Sequence, residues 1–201
     1  MQAARGASLS SGDQPAPSDP TPSEPTSSGH AAGSPRHRTS PRHLLLFAGI
    51  AAVGYVVDVA SKVAAVRSLT DQPPVEVVGD LLSLYLTYNS GAAFSIGTGY
   101  TEVLSLIAIL AAMVVLWVAR RLGSVGWAVA LGFLLAGICG NLSDRLFREP
   151  GPLRGHVVDF FMLPNFPVFN VADICINIAA AAILIQALRG IRVDGSRHPE
   201  Q

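Results

Sequence analysis

Four long apolar blocks constrain this sequence more than any other feature, because each is close to the length that a helix needs to cross a bilayer. The blocks cover residues 44–59, 103–119, 125–142 and 168–188. A transmembrane helix takes about 20 predominantly apolar residues. Hydrophobic side chains make up 50% of the chain and charged ones only 14%. The sequence therefore predicts an all-α membrane protein with four transmembrane helices.

The balance of charge excludes one class of partner. The chain carries 14 basic and 14 acidic residues, so its formal net charge is +0. No general basic surface exists to attract phosphate backbones, and we expect no nucleic-acid partner. Both cysteines, Cys139 and Cys175, fall inside apolar blocks, where a cysteine is typically a small buried hydrophobe.

The polar segments that flank the blocks predict the domain organisation and the orientation. Residues 1–42 are rich in Ser, Pro, Gly and Ala, which is typical of a disordered tail. We expect a four-helix membrane domain over residues 43–190 and a short C-terminal tail over 191–201. Because basic residues favour the cytoplasmic side, both termini are expected there, and the connections 62–102 and 143–167 face outward. The orienting residues are Arg36, Arg38 and Arg42 before the first block, Arg120 and Arg121 between the second and third, and Arg189 and Arg192 after the fourth.

The first outer connection has the pattern of a β-hairpin. Residues 75–78 are β-branched or acidic, Gly79-Asp80 is a turn signal, and leucines alternate with polar residues over 81–88. Alternation of this kind predicts strands with one apolar face. We expect a small extracytoplasmic β element.

Polar residues crowd the predicted outer ends of the helices. Asp58 and Lys62 are four residues apart, so a helix that continues past residue 59 would pair them, most simply as a structural ion pair. Two Asn-x-x-Asp motifs follow, at Asn141-Asp144 and at Asn170-Asp173. Because residues three apart share a helix face, each asparagine is expected to orient its own aspartate.

Asp173 lies five residues into the fourth block, where an isolated carboxylate would be costly unless it is protonated or partnered. The segment 155–161 is mostly apolar and carries Asp159, so we expect it to lie against the helix ends and to bring Asp159 close to Asp173. Two carboxylates in a poorly hydrated site cannot both ionise easily. One would then act as an acid and the other as a base.

Such a cluster fits hydrolysis, a proton relay in a carrier, or a structural role. Transport usually needs polar groups near the bilayer midplane, whereas the second and third blocks carry no charge at their centres. The sequence has no G-x-S-x-G or H-E-x-x-H motif, so an aspartyl mechanism remains among the hydrolases. A carrier and a structural scaffold stay open as alternatives.

Five motifs in order give the chain a resemblance to the lipoprotein signal peptidases, also called signal peptidase II, over residues 43–190. The motifs are Asp58-Val59-Ala60-Ser61-Lys62, Asn89-Ser90-Gly91-Ala92-Ala93-Phe94, Gly140-Asn141-Leu142-Ser143-Asp144-Arg145, Gly155-His156-Val157-Val158-Asp159-Phe160 and Phe169-Asn170-Val171-Ala172-Asp173. The resemblance implies an aspartyl endopeptidase of the bacterial inner membrane. Such an enzyme removes the signal peptide of a diacylglyceryl-modified prolipoprotein by cutting just before the lipidated cysteine.

The resemblance also implies roles for particular residues. Asp159 and Asp173 match the catalytic pair of the family, and its substrate site would lie near the outer membrane face. The motif positions that bind or orient substrate correspond to Asn89, Gly91, Asn141, Arg145 and Asn170, and those with a mainly structural role correspond to Asp58, Lys62 and Asp144. No metal or organic cofactor is implied. The expected partners are the prolipoprotein substrate and membrane lipid, with the enzyme acting as a monomer.

Two segments are less determined by the resemblance. The region of Phe94, with the hairpin, is expected to close over the scissile bond and to limit the access of water. Residues 148–154 form a longer insertion than the family pattern requires, so the path of residues 148–155 to Asp159 is not predicted.

Overall fold

The computed structural model describes residues 41–91 and 100–197, which fold into a bundle of four long helices with a small sheet at one end. The region of Phe94 and most of the predicted N-terminal tail lie outside the described residues. The elements in chain order are α1 (Pro41–Leu69), β1 (Val75–Val78), β2 (Leu82–Asn89), α2 (Thr101–Ala119), α3 (Val125–Phe147), β3 (Val157–Met162) and α4 (Val171–Leu188).

The outer surface of the bundle confirms the prediction of four membrane-spanning helices. All four helices have the length and the apolar composition needed to cross a bilayer. Large apolar side chains such as Val56, Leu106, Leu110 and Leu184 are exposed on this surface. A surface of this kind is unfavourable in water but matches a hydrocarbon environment.

Helix α3 is the centre of the bundle and contacts α1, α2 and α4. Small residues on α3 allow this close packing. A Cβ atom added at Gly137 would lie 2.6 Å from Cγ1 of Ile176 on α4, and one at Gly132 would lie 2.9 Å from Cβ of Ile50 on α1. Helices in lipid gain association energy from such close contact, since burial of apolar surface between them supplies little.

The sheet is antiparallel with the strand order β1-β2-β3. It rests on the last turns of α1 through an apolar cluster of Ala65, Leu69, Val158 and Phe160. The predicted hairpin is confirmed as β1 and β2. The third strand was not predicted, because Val157–Met162 is a short apolar run whose β character depends on pairing with β2. We refer to this end of the bundle as the sheet end.

Four of the predicted boundaries need correction. Helix α1 begins at Pro41 instead of 44, within the last residues of the predicted tail. Helix α1 ends at Leu69 and α3 at Phe147, well beyond the predicted 59 and 142, because each continues through charged residues that are buried at the sheet end. Helix α4 begins at Val171 instead of 168, since Asn170 caps it. A hydropathy pattern ends at the first charge and cannot show that the charge is partnered.

At the opposite end, which we call the turn end, the C-terminal residues fold back onto the turn between α2 and α3. The backbone N–H of Gly123 donates to the carbonyl of Val193 at 2.9 Å, and Nε1 of Trp127 donates to the carbonyl of Ile191 at 2.7 Å. Leu122 is fully buried there. This end is therefore held mainly by backbone acceptors and apolar contacts.

Candidate active site

The start of α4 is fixed by a reciprocal cap. Oδ1 of Asn170 accepts a hydrogen bond from the backbone N–H of Asp173 at 3.0 Å, and Oδ2 of Asp173 accepts one from the backbone N–H of Asn170 at 3.2 Å. A capping box of this kind satisfies two N–H groups that a helix start leaves unpaired. The carboxylate of Asp173 therefore lies at the helix N-terminus, where the helix dipole favours negative charge.

The residue before the cap ties α4 to the sheet. Phe169 exchanges two backbone hydrogen bonds with Phe161 of β3, at 2.8 and 3.0 Å, and their rings are in contact. Asn170 is thereby held beside the strand that carries Asp159. The two predicted catalytic residues come from different elements, and this short pairing brings the elements together.

A single buried amide links the two aspartates. Nδ2 of Asn170 donates to Oδ1 of Asp159 at 2.6 Å, while its Oδ1 accepts from the backbone of Asp173. Asn170 has no exposed surface, and Asp159 is only 2% exposed. The expected convergence of Asp159 and Asp173 therefore rests on Asn170, which also belongs to the predicted site.

Asp159 lies in surroundings that disfavour its charged form. Burial is the largest cause that raises the pKa of Asp159, from its usual 3.8 to about 6, and the charge of Asp173 adds to the effect. Hydrogen bonds from Asn89 and Asn170 and the charge of Lys62 act in the opposite direction. An aspartate in this balance can hold a proton close to neutral pH.

Asn141 orients the other aspartate, which corrects the prediction made from its motif. Its Nδ2 donates to Oδ1 of Asp173 at 2.9 Å, across the interface between α3 and α4. The carboxylate of Asp144, the expected partner, instead contacts Lys62, Arg148 and the backbone N–H of Val158. The partner of Asn141 is therefore determined by the packing of α3 against α4 and not by the spacing of three residues along α3.

Lys62 is buried among oxygen atoms. Its Nζ lies 2.9 Å from Oδ2 of Asp58 and 2.9 Å from Oδ2 of Asp144, and it donates to Oδ1 of Asn141 at 2.9 Å. The predicted pair of Asp58 and Lys62 is thus present and belongs to a larger cluster. Four residues, Asp58, Lys62, Asp144 and Arg148, form what we call the ion cluster.

Asp58 joins the ion cluster to the start of α4. Its Oδ1 accepts a hydrogen bond from the backbone N–H of Ala172 at 2.8 Å. A Cβ atom at Gly140 would collide with the Asp58 carboxylate and would lie 3.0 Å from Cβ of Ala172. Glycine at position 140 therefore allows α1, α3 and α4 to meet at this point.

Asn89 and Gly91 are positioned by Arg145. Asn89, at the end of β2, donates from Nδ2 to Oδ2 of Asp159 at 3.1 Å, and its Oδ1 accepts from the N–H of Gly91 at 2.9 Å. The buried guanidinium of Arg145 donates to the carbonyls of Ser90 and Gly91, at 3.5 and 2.6 Å. Arg145 thus holds the backbone of this segment, which in turn orients Asn89.

The sequence reasoning missed the part of α2 that anchors the site. Thr101 donates to the carbonyl of Ser90 at 2.7 Å, and Ser105 is buried with its Oγ 2.7 Å from the carbonyl of Leu153. These contacts tether the segment after β2 and the turn of residues 148–155 that leads into β3. Two hydroxyl residues four apart at the start of an apolar helix were the available signal.

Within residues 41–91 and 100–197, no three His, Cys, Asp or Glu side chains are grouped so that they could hold a metal ion. The polar side chains that meet at the described site include carboxylates, amides and a buried lysine.

Comparisons with known proteins agree with this arrangement. The sequence pattern of the family described as signal peptidase (SPase) II matches residues 50–189. A lipoprotein signal peptidase of Mycobacterium tuberculosis is 46% identical over 171 residues, which cover 84% of this chain and 85% of that protein. A lipoprotein signal peptidase of Mycolicibacterium smegmatis is 49% identical over 160 residues, which cover 79% of this chain and 68% of that protein.

Solved structures support the fold. One bacterial membrane enzyme superimposes with a TM-score of 0.64 at 24% identity, over 77% of this chain and 93% of that one. A second superimposes with a TM-score of 0.62 at 27% identity, over 71% of this chain and 92% of the other. The family match and these relatives account for the five ordered motifs of the sequence: the chain belongs to the signal peptidase II family.

Proposed function

We propose that this chain is a membrane aspartyl endopeptidase that removes the signal peptide from diacylglyceryl-modified prolipoproteins, cutting just before the lipidated cysteine. The observation that carries the proposal is the linkage of Asp159 and Asp173 through the buried amide of Asn170. Peptide hydrolysis needs one group that takes a proton from water and another that gives a proton to the carbonyl oxygen. A pair of aspartates that shares one proton supplies both.

The surroundings of the two carboxyl groups support different roles for them in our proposal. Asp173 lies at the N-terminus of α4 and accepts hydrogen bonds on both oxygens, so its charge is stabilised. Asp159 is almost fully buried and its pKa is raised to about 6, mainly by burial. Asp173 is therefore the base in our proposal, and Asp159 carries the proton.

The reaction then balances without any other group. Asp173 takes a proton from a water molecule as the water oxygen attacks the scissile carbonyl carbon, and Asp159 gives its proton to the carbonyl oxygen. When the tetrahedral centre collapses, Asp173 passes its proton to the leaving nitrogen and Asp159 recovers one from the hydroxyl. Asn89, Asn141 and Asn170 hold the carboxyl groups in place during these steps.

We propose that the sheet end faces outward and that both termini are cytoplasmic. Arg120, Arg121, Arg189 and Arg192 all belong to the turn end, and short basic connections favour the cytoplasm. A lipid-bearing cysteine keeps its acyl chains in the hydrocarbon, so the bond before it lies near the membrane surface. The carboxyl pair lies at one end of the helices, which supports a site near that surface. We propose that the enzyme acts as a monomer, because Asp159, Asp173 and Asn170 all come from one chain.

The test is cleavage of a diacylglyceryl-modified prolipoprotein by the purified protein in detergent or vesicles. We expect the wild type to cut before the lipidated cysteine, and Asp159→Asn and Asp173→Asn to lose at least about 1,000-fold in rate, since each removes a general acid–base group. Glu102→Gln is the matched control. Glu102 is an exposed carboxylate at the sheet end and is paired with Arg154 on the surface. The Glu102→Gln variant should therefore cleave at the wild-type rate.

Retained folding of each variant is checked by thermal unfolding. A wild type that never cuts, or a folded aspartate variant that cuts at the wild-type rate, contradicts the proposal. Proton-coupled flux in vesicles without cleavage would indicate the carrier alternative.

A further inference from the structure

We propose that Lys62, whose place in the family pattern suggests only a structural role, is a positioning residue that holds the aspartate pair in its singly protonated, reactive state. The inference rests on the proposed function. It is carried by the geometry of Lys62 and Asn141 and goes beyond the assignment of the aspartates themselves.

Lys62 is surrounded by three hydrogen-bond acceptors. The side chain is 1% exposed, and its Nζ faces three oxygen atoms at 2.9 Å, on Asp58, Asp144 and Asn141. An ammonium group has three hydrogens and can only donate. Two of the three oxygens neutralise its charge, while the third belongs to a neutral amide that contacts Asp173.

The contact with Lys62 bears on the orientation of the Asn141 amide. An amide can be rotated so that its oxygen and nitrogen exchange places, and its hydrogen bonds decide which orientation is stable. Because Lys62 only donates, it requires the oxygen of Asn141 on its side. The NH₂ group must then face Oδ1 of Asp173, where it donates at 2.9 Å. Nδ2 of Asn170 also donates to Oδ1 of Asn141, at 3.1 Å. Lys62 and Asn170 together therefore fix the Asn141 donor that supports the proposed base.

Lys62 also affects the aspartate pair through its positive charge. With Lys62 present, the ion cluster contains two carboxylates and two cations. Asp144 also contacts Arg148 and the N–H of Val158, and Asp58 accepts from the N–H of Ala172, so Lys62 is one of several partners for each carboxylate. Its charge reaches the active pair as well, because it lowers the pKa of Asp159 against the larger effects of burial and Asp173. Removing Lys62 would leave the cluster one charge more negative, and the pair would hold a second proton more readily.

Other charged groups lie near the pair, so the effect of Lys62 must be separated from theirs. They are Asp58 on α1, Asp144 and Arg145 on α3, and Arg148, which directly follows α3. Asp144 offers the opposite perturbation. Asp144→Asn removes a negative charge from the same cluster and keeps an oxygen for the N–H of Val158.

The experiment is the dependence of kcat and KM on pH for prolipoprotein cleavage by wild type, Lys62→Met, Lys62→Arg and Asp144→Asn. Cleavage needs a protonated Asp159, so wild-type kcat/KM is expected to fall as the pH rises through the pKa of Asp159. We expect Lys62→Met to move this fall in kcat/KM to higher pH by about one unit, because the lost cation had lowered the pKa of Asp159. Asp144→Asn should move the fall to lower pH, and Lys62→Arg should keep it near the wild type.

We also expect kcat of Lys62→Met at its own optimum to fall about 10-fold or more, because Oδ1 of Asn141 then keeps only the donor from Asn170, and Asn141 is held less firmly. Its KM should change less than its kcat, since the side chain of Lys62 is only 1% exposed. Arg67→Met is the matched control: it removes an exposed cation from the same helix and should leave the profile in place.

Each outcome decides one question. The inference is supported if the pH at which kcat/KM falls moves in opposite directions in Lys62→Met and Asp144→Asn. If folded variants show only a lower rate, with the fall at the wild-type pH, the inference is overturned and Lys62 is structural. If Lys62→Met does not fold, Asp144→Asn decides alone, and a profile that does not move overturns the inference. A wild type that never cleaves contradicts the proposed function itself, which separates the two failures.

Discussion

The two ends of the helix bundle are joined by different kinds of contact. At the turn end, backbone carbonyls of residues 191 and 193 accept from Trp127 and Gly123 around the buried Leu122. At the sheet end, buried carboxylates, amides and a lysine bond mainly to one another across three helices and a strand. Both arrangements satisfy helix ends, but buried charge costs far more than a backbone hydrogen bond unless every partner is present. Buried charge is thus concentrated at the sheet end, where the chemistry is proposed, whereas the turn end is joined by backbone hydrogen bonds and apolar contacts.

The largest effect is expected from the amide that joins the two aspartates. Asn170→Ser keeps a residue that caps helices well but removes the donor to Asp159 and Asn141. We expect cleavage to slow about 100-fold through misplacement of the acid and base, with a loss of only about 1–2 kcal/mol in the free energy of unfolding.

Asn177→Ser makes the same exchange on an exposed site two turns further along α4 and should have little effect on rate. Wild-type turnover in a folded Asn170→Ser variant would mean that the bridge between the aspartates has no catalytic value.

A pair of glycine substitutions compares the packing of the two ends. Gly140→Ala places a methyl group against the Asp58 carboxylate and Ala172, where the ion cluster cannot move aside. We expect it to lower the free energy of unfolding by about 3 kcal/mol. Gly126→Ala at the turn end meets only the flexible end of Gln186, which can give up its bond to Ser124, and should cost about 1 kcal/mol.

Unfolding of both glycine variants in the same detergent gives the comparison. Equal losses in the free energy of unfolding would show that the sheet end accommodates an added methyl group as easily as the turn end does.

The smallest effect is expected at the turn end itself. Trp127→Phe keeps the ring and removes the Nε1 donor to Ile191, so the free energy of unfolding should fall by about 1 kcal/mol with cleavage unchanged. Trp117→Phe is a suitable control, because the exposed Trp117 ring contacts Arg121 but donates to no carbonyl in the described residues. A loss of cleavage in Trp127→Phe comparable to that of Asn170→Ser would remove the distinction between the two ends.

The sequence was most informative where one element decides the outcome alone. The apolar blocks predicted all four membrane helices, and the alternating leucines predicted β1 and β2, because length and periodicity are local properties. The expected approach of Asp159 to Asp173 required only that an apolar segment return to the helix ends, and the shared bonds to Asn170 show it.

The sequence was least informative where two helices meet. Asn141 was assigned to Asp144 by spacing, yet its donor points to Asp173 on another helix. Helix α1 was predicted too short because Lys62 resembles the end of an apolar block until its partners on α3 are known. Strand β3 was missed for the same reason, since its backbone pairs with a strand far away in the chain. Interhelical partners depend on the rotation and depth of each helix, which a linear pattern does not record.

The ion cluster has a consequence for how the protein is made. Asp58 and Lys62 are one turn apart on α1, and Asp144 lies one turn before Arg148, the residue that follows α3, so each of these two pairs can enter the bilayer with its charges matched. When helices associate after insertion, Lys62 gains Asp144 and Asn141 only once α3 reaches α1, and Asp58 gains the N–H of Ala172 only once α4 arrives. In that order of assembly the ion cluster forms from pairs that are already matched in charge, and α4, the last helix in the chain, completes the proposed catalytic pair.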